Sequence, residues 1–118
     1  MAQQTSDAAT PAVPVEIGPQ EFDKMRREGA THVAVDVRET WELDICALSD
    51  TMHVPLGDLP SRVGELPTDI PVVVICRSGR RSMDATMWLR GQGYANATNL
   101  RGGVLLWGQE IDPSMRSY

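Results

Sequence analysis

The run Pro71-Val-Val-Val-Ile-Cys76 constrains the fold more than any other stretch of this chain. It has strand length, four consecutive β-branched residues and no polar face. A strand of that kind needs cover on both sides, as in the middle of a parallel sheet. The next six residues, Arg77-Ser-Gly-Arg-Arg-Ser82, are of opposite character: three arginines, two serines and a glycine, with no acid. After them "SMDATMWLRGQG" has helical spacing. Ser82 is its expected N-cap, Met83, Met87 and Trp88 lie near one face, and Gly91 or Gly93 ends it.

Strand, loop and helix in this order place the loop at the carboxyl end of a sheet strand, where open α/β sheets bind ligands. Loop amides and a helix N-terminus favour negative charge there, and arginines add planar donors that suit oxyanions. Such a setting favours the thiolate of Cys76, which is the nucleophilic form. Gly79 lets the backbone curl and bring amides inward. A bland alternative exists, in which Cys76 is a small buried hydrophobe and the arginines coat a solvated loop. The strand, the glycine, the arginine cluster and the helix start together favour a functional site for an anionic substrate.

The rest of the chain alternates in the same way. "VPVEIG" reads as a short edge strand, with Pro14 confining it to an edge. "GPQEFDKMRREG" has helical spacing with Gly29 as its stop, and "HVAVDV" reads as a strand. "RETWELDICAL" suits a short helix with Trp41, Ile45 and Leu48 on its apolar side. "MHVPL" is a short strand, "GDLPSRVGEL" a helical turn or a short helix broken by Pro60, "ATNL" a strand and "RGGVLLWGQEI" a helix. The pattern predicts an α/β domain with a parallel central sheet.

A net charge of −5 argues against nucleic acid as the main partner, since that role needs a broadly basic face. A basic loop inside an acidic molecule instead selects small anions. Two cysteines make no disulfide framework, so reduced thiols and a cytoplasmic location are expected. Residues 1–12 are small and polar and read as a tail, without the marks of a secretory signal. No apolar run approaches the ~20 residues that span a bilayer. His32 and His53 have no partners at metal-ligand spacing, so neither metal nor cofactor is expected. Cys46 reads as a core residue rather than a resolving thiol. Trp41, Trp88 and Trp107 read as core or pocket-wall residues. Asp36 and Arg38 stand at a strand end beside the loop. They form either an ion pair that supports the loop or meets substrate, or a purely structural bridge. Glu39 reads as an acid at a helix start.

At four places the chain resembles the rhodanese-like sulfurtransferases: "DVRE" at Asp36–Glu39, "HVPLGDL" at His53–Leu59, "CRSGRRS" at Cys76–Ser82 and "NLRGGVLLW" at Asn99–Trp107. The resemblance implies a three-layer domain over residues 13–112 with a five-stranded, mainly parallel sheet flanked by helices. It implies a persulfide on Cys76, an anion cradle made by the amides of Arg77, Ser78, Gly79, Arg80, Arg81 and Ser82, and Arg81 as the residue closing the loop. Thiosulfate or another persulfide is the implied donor, and cyanide, a thiol or a sulfur-carrier protein the acceptor. One stretch departs: "DICALSDTMHVPL" stands where the family commonly has a Gly-His-Ile-type segment. Phosphatases and arsenate reductases of the same fold have a loop one residue longer, with arginine at the sixth position after the cysteine. Here that position is Ser82. A non-catalytic binding module is a third class, and it usually lacks the cysteine. "EIDPSMRSY" resembles the ending of rhodanese domains fused to adenylating enzymes, and 113–118 is otherwise expected to be a C-terminal tail.

Overall fold

The computed structural model describes residues 13–118. The tail expected over residues 1–12 lies outside the described residues. Five strands form one sheet: β1 (Glu16–Ile17), β2 (Val33–Asp36), β3 (Met52–His53), β4 (Val72–Ile75) and β5 (Ala97–Leu100). Their order is β1-β5-β4-β2-β3, and every pairing is parallel. Among the described residues, five helices accompany them: α1 (Pro19–Arg27), α2 (Thr40–Ile45), α3 (Leu59–Arg62), α4 (Arg80–Gly91) and α5 (Gly103–Glu110).

The apolar run does what its composition requires. β4 is central, between β2 and β5, and all four of its residues are buried. Its side chains alternate across the sheet, as a period of two dictates. Val72, Val74 and Cys76 join Leu59, Ala85 and Leu89 on the α3–α4 face. Val73 and Ile75 join Phe22, Leu100, Val104 and Trp107 on the α1–α5 face. Because all strands run the same way, β2, β4 and β5 deliver their carboxyl ends to one rim. That rim carries Arg38, the loop after Cys76 and the turn at Arg101–Gly103.

Three local expectations are corrected. Pro60 does not break a helix. It sits in the first turn of α3, flanked by 3-10 turns at Leu56–Asp58 and Val63–Glu65, where its missing N–H costs nothing. Ser82 is not the N-cap of α4. Gly79 takes that place at φ 94°, and Ser82 lies inside the first turn. Trp41 is not core: it is 60% exposed, because α2 turns Glu42 inward instead. Trp107 is buried and Trp88 half-buried.

Candidate active site

Cys76 follows β4 and is 1% exposed. Its Sγ accepts the backbone N–H of Gly79 at 3.1 Å and that of Ser82 at 3.3 Å, and it lies 3.2 Å from Ser82 Oγ. The loop turns its amides inward because its carbonyls are held elsewhere. Val104 N–H donates to the Cys76 carbonyl at 2.9 Å and Leu105 N–H to that of Arg77 at 3.0 Å. The first turn of α5 therefore clamps the outer side of the loop. Gly103 makes the clamp possible: with φ at 56°, a Cβ there would stand 2.3 Å from the Cys76 carbonyl oxygen.

The three arginines of the loop have three environments. Arg80 is exposed. Arg81 makes a two-pronged ion pair with Glu42, at 2.7 and 2.8 Å. Arg77 is half-buried, with its guanidinium 5.0 Å from the centre of the Tyr118 ring. Its Nε is buried and has no hydrogen-bond partner among the described residues.

Asp36 and Arg38 form a fully buried pair with Nη2–Oδ2 at 2.7 Å. Arg38 also donates to the Cys46 carbonyl at 2.9 Å and to Tyr118 Oη at 2.8 Å. With every face of the guanidinium occupied, the pair reads as support for the rim rather than a substrate contact. Burial opposes the Arg38 charge, but the bonds to Asp36 and Tyr118 outweigh it and raise its pKa further above the ordinary value. Tyr118 in turn donates to Glu42 Oε1 at 2.9 Å. A chain of polar contacts thus runs Asp36–Arg38–Tyr118–Glu42–Arg81 and reaches the cysteine loop. The Arg81 guanidinium holds the Glu42 carboxyl down to about 2, against the opposing effect of burial. Burial raises the Tyr118 phenol above its ordinary range.

Glu42 and Tyr118 were not singled out from the sequence. Glu42 has a local partner, accepting the Glu39 N–H at 2.8 Å in a capping box, but the partners that tie Glu42 and Tyr118 to the site lie 39 to 80 residues away along the chain. Within the segment 113–118, read as a tail, Tyr118 lies beside the site. Cys46 is buried in the core as expected, 3.9 Å from Arg38 Nη1. Among the described residues, no helix is long and apolar enough to cross a membrane.

A five-stranded parallel sheet with a cysteine held by two loop amides at the end of its central strand defines a class of α/β domains. Within that class the chain belongs to the rhodanese-like domain family, whose model matches residues 18–110. A sulfurtransferase of Allochromatium vinosum is 41% identical over 73 residues, covering 62% of this chain and 68% of the relative. The maize adenylyltransferase and sulfurtransferase MOCS3-2 is 32% identical over 106 residues, covering 84% of this chain. The chain spans only 22% of that larger relative's length. The human single-domain sulfurtransferase TSTD1 superposes with a TM-score of 0.74 at 20% identity, covering 83% of this chain and 98% of that one.

Proposed function

We propose that this chain is a sulfurtransferase that carries sulfane sulfur as a persulfide on Cys76. The observation that carries the reading is the set of donors on Sγ: two inward backbone N–H groups and a hydroxyl. Donors placed there stabilise a sulfur anion without a dedicated base. In the first half-reaction Cys76 Sγ, as thiolate, attacks the outer sulfur of thiosulfate. An S–S bond forms to Cys76, the S–S bond of thiosulfate breaks, and sulfite leaves with the electron pair. In the second, cyanide or a thiolate attacks the outer sulfur, and Cys76 leaves as thiolate. Arg80 and the buried Nε of Arg77 supply positive charge and a donor for the dianion. A thiol compound or sulfur-carrier protein is the proposed acceptor in a cell, with no nucleic acid, membrane, metal or cofactor involved and a cytoplasmic setting.

Ser82, at the position where the phosphatases and arsenate reductases of this fold have arginine, speaks for sulfur over a tetrahedral oxyanion. Its hydroxyl fills space beside Sγ that a longer loop would open. Intact-protein mass spectrometry after thiosulfate treatment tests the reading. One added sulfur on wild type and none on Cys76→Ser is the expected result. Normal thiocyanate production by Cys76→Ser, or efficient aryl-phosphate hydrolysis by wild type, overturns it.

A further inference from the structure

Ser82 Oγ stands between two acceptors. Cys76 Sγ is 3.2 Å away and Asn99 Oδ1 is 2.5 Å away, and all three residues are buried. A hydroxyl has one hydrogen, so it donates to one of them at a time. The orientation of the Asn99 amide is not free. Its Nδ2 lies 2.8 Å from Glu16 Oε2, and a carboxylate only accepts, so the NH₂ group faces Glu16 and the carbonyl faces Ser82. The fixed acceptor thus competes with the sulfur for the Ser82 hydrogen. Three elements meet to build the arrangement: Glu16 on edge strand β1, Asn99 paired with it in register on β5, and Ser82 in the first turn of α4.

We infer that Ser82 is a catalytic residue whose hydrogen moves between Cys76 and Asn99 with the sulfur load, and that Asn99 and Glu16 are positioning residues that favour the loaded state. This rests on the persulfide reading above. In the unloaded enzyme the negative charge sits on Sγ, and the hydroxyl donates to it, leaving Asn99 Oδ1 short of a donor. In the persulfide the charge moves to the outer sulfur, and Sγ becomes a neutral, weak acceptor. The hydroxyl then returns to Asn99. No proton is gained or lost, because the hydrogen only rotates about the Ser82 Cβ–Oγ bond. Asn99 therefore makes its hydrogen bond when sulfur is bound and gives it up when sulfur leaves. A neutral thiol would donate its own hydrogen to Ser82 Oγ, so the competition belongs to the thiolate.

The test is the equilibrium between free and loaded enzyme in set ratios of thiosulfate to sulfite, read as persulfide fraction by intact mass. It is run at pH about 9.5, above the ordinary thiol range. Asn99→Leu removes the acceptor at similar volume and should lower the loading constant about tenfold, the size of one hydrogen bond. Glu16→Ala, on an exposed edge position, frees the amide to flip and should shift loading in the same direction. Glu16→Gln keeps an acceptor and should keep the wild-type value. In a Ser82→Ala background the Asn99 effect should vanish, a coupling that a merely structural asparagine would not show. If wild type loads but Asn99→Leu and Glu16→Ala match it, or if the Asn99 effect survives without the Ser82 hydroxyl, this inference is overturned and sulfur transfer stands. If wild type takes up no sulfur, both fall together.

Discussion

Two neighbouring arginines, Arg80 and Arg81, have the same chemistry and different surroundings, so their loss should look different. Arg80 is exposed and acts on an approaching anion through its charge. Arg80→Ala should raise KM for thiosulfate with kcat within about twofold, and lysine should rescue it, because a point charge suffices. Arg81 is held in a two-pronged bond to a buried carboxylate. Arg81→Ala strands Glu42 and should cost about 1–3 kcal/mol, lowering Tm and kcat together. Lysine should not rescue it, because the planar fork is lost. Steady-state kinetics and thermal melts of the four variants check the division; identical behaviour of both alanine variants would sink it. The same contrast shows what a sequence reveals at single positions. Cys76 and its loop stand out because their neighbours in sequence are their neighbours in space. Ser82 has the residue type of a cap, but Gly79 at positive φ starts the helix earlier and turns the serine hydroxyl inward onto sulfur.

Helix α2 has six residues and little intrinsic stability, so its place depends on what Glu42 grips. The Glu42 carboxyl is depressed to about 2 from an ordinary 4.5. A depressed folded-state value means that the stabilisation is complete above about 4.5 and is lost as pH falls toward 2. Glu42→Gln should therefore be less stable than wild type at pH 7. Its Tm should fall less between pH 5 and about 2.5, so that the two curves approach each other in acid. Parallel curves over that range would refute the assigned role. Residues 113–118 form the other support. Tyr118→Phe keeps the ring against Arg77 and Trp41 and removes the hydroxyl shared by Arg38 and Glu42. It should cost about 1–3 kcal/mol in a denaturant melt; unchanged stability would show that the hydroxyl is dispensable. The strands and most helices were legible because their periodicities are local. The support network was not, since Arg38 and Tyr118 stand 80 positions apart. Trp41 misled for a related reason. Its spacing suited an apolar face, but the buried partner of this short helix is an acid.

Across the whole molecule a net charge of −5 surrounds a basic loop. At ordinary ionic strength charges more than about 8–10 Å away are largely screened, so the nearby arginines decide how a dianion arrives. Raising salt should lower kcat/KM for thiosulfate, and Arg80→Ala should flatten that dependence. A salt-independent rate for the dianion would rule out electrostatic capture at the loop. The fold class followed from the fully apolar run together with the alternation of strands and helices, because such a run suits a central parallel strand covered on both faces. Pro14 marked the first strand as an edge, but the order of the remaining strands had no such signature and emerged only from the pairing.

The clamp from α5 onto the cysteine loop also sets an order of events on the ribosome. Cys76 leaves the exit tunnel before Asn99, Gly103, Val104 and Leu105, the residues that bear on its hydroxyl partner or turn its carbonyls outward. At ~5–20 residues per second the interval is roughly one to five seconds. During it the nascent thiol has no cradle, and it is open to any oxidant in reach. The reactive sulfur of this domain is thus made early and gains its anion-stabilising cradle late.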